Sequence, residues 1–212
     1  MKVHQLNQAS DLVFGGPRLQ NATLSDFWRW AFSDLCDDDI KGFFAEWLVH
    51  KLLGIESRRR VSWANNDVVT PEGISIEVKS TAYWQSWKVI DEHGNPLDKP
   101  KREPPHESKI RFGGLTARDS TDVVDMGSER QLKSDLYVFM FQHEKDIARW
   151  NAMDLSQWEF YVLRANHLSQ LVTGRTISLS KLRSVQKPLN AEEFVSSASH
   201  LMKSMERGRN AV

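Results

Sequence analysis

Residues 67–79, with the sequence DVVTPEGISIEVK, constrain the fold most because they predict two strands joined by a tight turn. Residues 71–73 (PEG) suit a three-residue hairpin loop, in which the proline begins a type I turn and the glycine takes the left-handed position. Counting outward from this loop sets Asp67 directly opposite Glu77. The loop chemistry therefore predicts both the hairpin and its register.

One face of this hairpin carries a concentration of charge. Side chains alternate along a strand, so Glu77 and Lys79 share a face while Ile76 and Val78 lie on the other. Directly opposed residues have Cβ atoms roughly 5 Å apart, a spacing at which the carboxylates of Asp67 and Glu77 repel each other. The pattern indicates a cation site on this face, with Lys79 next to it.

Composition limits the class of protein. The chain has 212 residues, of which 40% are hydrophobic and 26% charged, as is usual for a soluble globular protein. We expect one domain over 1–212, located in the cytoplasm, with no membrane partner because no apolar run approaches about 20 residues. The net charge of zero excludes an argument for nucleic-acid binding from overall charge. Cys36 is the single cysteine, which excludes an internal disulfide and a cysteine-based zinc cluster.

The chain order predicts an α/β protein. Residues 1–22 form an irregular arm, and a helix over 23–35 buries its aromatic side chains Phe27 and Trp28 in the core. Residues 88–134 form a long polar insertion, and a C-terminal helix and tail cover 191–212. Apolar runs at 136–141 and 158–163 predict buried strands. A second helix over 40–53 has a predicted buried stripe of Ile40, Phe43, Phe44, Trp47, Leu48 and Leu52.

Helical Glu46, then Asp67, then Glu77-Val78-Lys79 resembles the PD-(D/E)XK nuclease superfamily. The resemblance implies a restriction-endonuclease-like αβββαβ core, with a mixed central sheet flanked by helices. It also implies that Asp67 and Glu77 are metal ligands, that Lys79 is the catalytic lysine, and that Glu46 is an accessory acid and further ligand. Asn66 stands where many members have a proline before the aspartate.

The implied activity is Mg²⁺-dependent hydrolysis of phosphodiester bonds in DNA by a restriction-like or DNA-processing endonuclease. Oxygen ligands without histidine or cysteine favour Mg²⁺ or Mn²⁺ over Zn²⁺. Lys79 beside the metal can position the attacking water and stabilise charge in the transition state. Cleavage of both strands of a duplex would favour a homodimer.

Other residues extend this hypothesis. Gln85 and Ser80 are candidates for contacts behind the metal ligands or with the substrate. Basic residues before the hairpin and within the insertion are candidates for binding nucleic acid, namely Arg58, Arg59, Arg60, Lys101, Arg102, Lys109 and Arg111.

Three alternatives stay open. Glu77 and Lys79 can form a surface charge ladder without function. The chain can be a non-catalytic module that binds nucleic acid or protein, for which the aromatic segment 84–87 offers a surface. It can also be a junction-resolving nuclease.

Overall fold

The computed structural model describes residues 7–12, 21–56, 60–61, 64–86, 91–93, 95, 97, 103–116, 131–172 and 174–209. The chain divides into two compact units, Met1–Leu35 and Cys36–Val212. Arg58, Arg59, Lys101 and Arg102 lie outside the described residues, as does about half of the predicted insertion.

The first unit contains helix α1, Leu24–Phe32, which is shorter than the predicted 23–35. Thr23 caps the helix in a capping box. Its side chain accepts a hydrogen bond from the backbone N–H of Asp26, and the Asp26 side chain accepts one from the backbone N–H of Thr23. The predicted burial of its aromatic residues is wrong, because Phe27 is 48% exposed and Trp28 is 42% exposed. Apolar spacing identifies one face of a helix but does not show what covers that face.

The second unit is an α/β fold built on a mixed sheet. Its elements are α2 (Asp38–Leu52), β1 (Val68–Val69), β2 (Ser75–Ala82), β3 (Arg111–Phe112), β4 (Leu136–Gln142), β5 (Trp158–Arg164), α3 (Ala165–Leu171), β6 (Ile177–Ser178), α4 (Leu179–Val185) and α5 (Ala191–Arg209). The described strands run in the order β1-β2-β4-β5, with β2 and β4 parallel and the other neighbours antiparallel. Strands β3 and β6 form a separate antiparallel pair. The predicted α/β class, with a mixed sheet flanked by helices, is confirmed.

Strand β4 lies at the centre of the core. Every residue of β4 is buried, as the continuous apolar run predicts for a strand covered on both faces. Strand β5 has a second neighbour on its outer side, because Phe160 and Leu189 exchange backbone hydrogen bonds. Helix α5 covers this region, where Phe194 stacks on Phe160 with ring centroids 5.1 Å apart. None of the described helices is long and apolar enough to span a membrane.

Helix α2 packs against β1 and β2 with a different face from the predicted one. It buries Lys41, Ala45, Leu48 and Val49, whereas Phe43 and Trp47 are exposed. Of the predicted stripe, only Leu48 is buried. Apolar residues lie on two sides of this helix, so their spacing alone does not decide which side faces the sheet.

Candidate active site

The hairpin has the predicted register. Val68 pairs with Ile76 and Val69 with Ser75, so the next pair outward is Asp67 and Glu77. The turn is closed by backbone hydrogen bonds, from Thr70 N to Ile74 O at 2.9 Å and from Gly73 N to Thr70 O at 2.9 Å. Gly73 has a φ of 80°, which is the left-handed conformation that the loop requires.

Asp67 is anchored to the neighbouring strand. Its Oδ2 accepts a hydrogen bond from the backbone N–H of Val78 at 2.7 Å. Val78 lies between Glu77 and Lys79 in β2, so this bond holds the Asp67 carboxylate against the Glu-x-Lys triplet. The half-buried acid is thus oriented by backbone geometry as well as by strand pairing.

Glu77 and Lys79 form a close ion pair on the same face of β2. The Lys79 Nζ donates to Glu77 Oε1 at 2.5 Å, and both side chains are largely shielded from solvent. Burial and the nearby charge of Asp67 raise the pKa of Glu77, while Lys79 acts in the opposite direction. This is the electrostatic signature of two carboxylates held together in a poorly solvated place.

Ser134 connects the site to β4. Its hydroxyl donates to Asn66 Oδ1 at 2.9 Å and lies 3.5 Å from Glu77 Oε2. Ser134 is buried and precedes β4 by two residues. Sequence reasoning missed this residue because it lies 57 positions after Glu77 and no local pattern singles it out.

A loop after β3 lies close to Lys79. Gly114 has a φ of 67°, and a Cβ built on it would lie 3.9 Å from Lys79 Cε and Nζ. Tyr137 holds this loop, since its hydroxyl donates to the carbonyl of Leu115 at 3.2 Å. Tyr137 is also the residue of β4 in register with Glu77, and burial raises the pKa of its hydroxyl. Tyr137 is therefore a second residue of the site that the sequence did not reveal.

Glu46 projects into a cleft that reaches Asp67. The cleft has a volume of about 750 Å³, and its lining includes Glu46, Arg60, Asn66 and Asp67. Arg60 engages both oxygens of Glu46, with Nε 2.7 Å from Oε2 and Nη2 3.2 Å from Oε1. Glu46 thus lines the same cleft as Asp67, and it is paired with Arg60.

The remaining candidates lie elsewhere. Gln85 accepts a hydrogen bond from the buried Lys41 at 2.6 Å, which ties it to α2. Ser80 is the next residue after Lys79 in β2, so strand alternation directs its side chain to the opposite face. Lys109 and Arg111 are exposed beside and within β3.

The donor set suits Mg²⁺ in its chemistry. Among the described residues, no group of three or more acidic, histidine or cysteine side chains is placed to hold a metal ion. Asp67 and Glu77 nevertheless bring two carboxylates together, and Mg²⁺ is commonly bound by one or two carboxylates while it keeps several waters. Burial and then the charge of Asp67 raise the pKa of Glu77, and a divalent cation beside the two carboxylates would favour the ionised form of Glu77.

No protein-family model matches the chain, and no curated protein matches it. The function of the site is therefore argued from its chemistry.

Proposed function

We propose that the chain is a Mg²⁺-dependent nuclease that hydrolyses phosphodiester bonds in DNA with a PD-(D/E)XK-type site. The observation that carries this proposal is the hairpin register, which sets Asp67 opposite Glu77 and places Lys79 on the face of Glu77. The order of α2, β1 and β2 agrees with the helix–strand–strand part of the restriction-endonuclease-like core. On this proposal, β4 extends that core as a parallel neighbour of β2.

Asp67 and Glu77 would hold the metal ion. When bound, Mg²⁺ supplies a Lewis acid that polarises the phosphoryl group and stabilises the charge that develops during its displacement. The hydrogen bond from Val78 orients Asp67, and Ser134 lies beside the second oxygen of Glu77. Both carboxylates are thereby held in place before substrate binds, which lowers the cost of organising the site.

Lys79 would act on the water and the phosphate. Its Nζ is a donor beside Glu77 and under the loop at Gly114, in a place largely shielded from solvent. An ammonium there can hold the attacking water and stabilise the developing negative charge on a phosphoryl oxygen. Because the surroundings are poorly solvated, this electrostatic effect is stronger than it would be in bulk water.

A cleavage assay tests the proposed function. The full chain is incubated with supercoiled plasmid, single-stranded DNA and branched DNA, each with Mg²⁺, with Mn²⁺ or with EDTA. We expect nicked or linear products with either metal and none with EDTA. Cleavage confined to branched DNA would assign a junction-resolving nuclease.

The second candidate is a binding module that keeps the fold without turnover. It is favoured by the pairing of Glu46 with Arg60 and of Glu77 with Lys79, since each acid already has a cationic partner. No cleavage of any substrate with either metal, combined with retention of labelled DNA in a gel-shift assay, would favour this module over the nuclease.

A further inference from the structure

Arg60 is held beside the candidate metal ligands by several contacts. Its guanidinium forms two hydrogen bonds with Glu46, and its Cζ lies 4.2 Å from the centroid of the Phe43 ring. Phe43 and Glu46 lie one turn apart on α2. One face of that helix therefore provides both the carboxylate that pairs with the guanidinium and the aromatic ring that stacks on it. Such stacking with a two-point carboxylate contact is a geometry that arginine forms and lysine does not.

The position of Arg60 places a positive charge in an acidic cleft. Glu46 and Asp67 both line the cleft with Arg60. The Arg60 guanidinium contacts both oxygens of Glu46, and Asp67 lines the same cleft, so the positive charge of Arg60 lies near two carboxylates. In the free protein, Arg60 therefore supplies part of the neutralisation that a divalent cation would supply.

Glu46 has no carboxylate oxygen outside this contact. Both Oε1 and Oε2 are engaged by Arg60, and the Glu46 side chain is only 16% exposed. Arg60 is 44% exposed, so its guanidinium has room to turn towards solvent. A metal that used Glu46 as a ligand would compete with the guanidinium, because two cations that share one carboxylate repel each other.

We propose that Arg60 competes with the divalent metal for Glu46 and so sets the metal affinity of the free protein. Arg60 is a positioning residue in this account, because it acts through Glu46. The inference rests on the proposed function, since it assumes that the metal binds beside Asp67. It predicts that the loss of Arg60 strengthens metal binding, whereas the loss of a merely structural contact would weaken it.

Titration with Mn²⁺ alone tests this competition without substrate. Free Mn²⁺ is followed by electron paramagnetic resonance at constant pH and ionic strength. We expect Arg60→Gln to bind Mn²⁺ about two- to fivefold more tightly than the unmodified chain, as follows from losing a partly exposed ion pair. Arg60→Lys retains the charge but not the two-point contact, so its affinity should lie between that of the unmodified chain and that of Arg60→Gln. Arg60→Met, which keeps contact with Phe43, replaces Arg60→Gln if the latter does not fold.

Arg149 provides a matched control, because it pairs with Glu144 and Asp146 on another surface. Arg149→Gln should leave Mn²⁺ affinity unchanged. In the Glu46→Gln background, Arg60→Gln should no longer tighten binding. Equal or weaker binding by Arg60→Gln, or the same tightening without Glu46, would overturn the competition.

Mn²⁺ binding by the unmodified chain separates the competition at Arg60 from the metal-dependent function itself. If the unmodified chain binds Mn²⁺, and Asp67→Asn abolishes that binding while Arg60→Gln does not tighten it, only the competition is wrong. If neither the unmodified chain nor Arg60→Gln binds Mn²⁺, the metal-dependent function and the competition both fall.

Discussion

Asp67 accepts a hydrogen bond from the backbone N–H of Val78 at 2.7 Å, although Asp67 directly precedes β1 and Val78 lies in β2. This bond ties the candidate metal ligand on one side of the hairpin to the middle of the Glu-x-Lys triplet on the other. The arrangement depends on register, because a shift of one residue would turn Glu77 and Lys79 to the opposite face. The geometry of the turn is therefore coupled to the chemistry of the site.

Gly73→Val should disturb the site without removing a ligand. Gly73 has a φ of 80°, and a β-branched residue there costs about 1–2 kcal/mol of folding free energy or shifts the register. We expect weaker Mn²⁺ binding and a lower urea midpoint. Glu72→Val, in the same turn and exposed, is the control. Unchanged metal affinity in a folded Gly73→Val protein would show that the site does not need this turn.

The free energy of unfolding should fall with rising pH because of Glu77. Burial and Asp67 raise its pKa in the folded state, so above the ordinary value of about 4.3 the folded chain binds more protons than the unfolded chain. Ionisation of Glu77 then costs stability as pH rises through the raised pKa. In EDTA, we expect Glu77→Gln to be more stable than the unmodified chain at pH 7 and similar to it at pH 4.

Urea unfolding across this pH range measures the effect. Glu72→Gln removes an exposed carboxylate from the same hairpin and should show no comparable gain at pH 7. A Glu77→Gln protein that is less stable than the unmodified chain at pH 7 would mean that the Lys79 ion pair outweighs burial and the charge of Asp67.

Asp135 should stabilise the hairpin from outside the site. Its Oδ2 accepts hydrogen bonds from Ser75 N and from Arg209 at 2.9 Å each. Burial opposes ionisation, but the bonds from Ser75 and Arg209 keep the pKa of Asp135 below its ordinary value. We expect Asp135→Ala to cost about 1–3 kcal/mol at neutral pH, because the Ser75 N–H loses its acceptor.

The sign of the pH effect is opposite to that of Glu77. The Asp135 contribution is present above the ordinary pKa of about 3.9 and is lost as pH falls through the lower folded value. The stability difference between the unmodified chain and Asp135→Ala should therefore shrink in acid. Asp146→Ala, on an exposed ion pair with Arg149, is the control. An equal loss in both variants would contradict a specific role for Asp135.

The two glycines at α2 should respond in opposite directions to alanine. Gly42 lies within the helix, and an added Cβ would meet no atom within 4 Å, so Gly42→Ala should stabilise the chain by about 0.5–1 kcal/mol. Gly54 follows the helix with a φ of 65°, so Gly54→Ala should destabilise it. Chemical denaturation measures both, and stabilisation by Gly54→Ala would contradict the left-handed geometry.

Sequence alone predicts the parts of the site that depend on local chemistry. The turn at residues 71–73 sets the register of Asp67 and Glu77, because proline and glycine restrict the backbone there. The strands at β4 and β5 are likewise predictable, since their apolar runs are continuous. These features need only information from within about a dozen residues.

The parts that the sequence did not predict depend on distant contacts. Ser134 and Tyr137 lie about sixty positions after Glu77, and Arg60 pairs with Glu46, which lies 14 positions before it. The orientation of α2 was predicted wrongly because Phe43 and Trp47 made one apolar side look like the buried one. Their side chains instead line the cleft beside Asp67.

Plasmid cleavage by Lys79→Ala tests whether Lys79 is the catalytic lysine of a nuclease. Lys79 is the donor beside Glu77, so its loss should lower the rate of Mg²⁺-dependent nicking by at least about a hundredfold, as for a group that assists proton transfer or stabilises charge in the transition state. Lys187→Ala, at an exposed lysine, should cleave as the unmodified chain does. Mg²⁺-dependent nicking that persists at the unmodified rate in Lys79→Ala would show that cleavage does not depend on Lys79 and would contradict a PD-(D/E)XK-type site here.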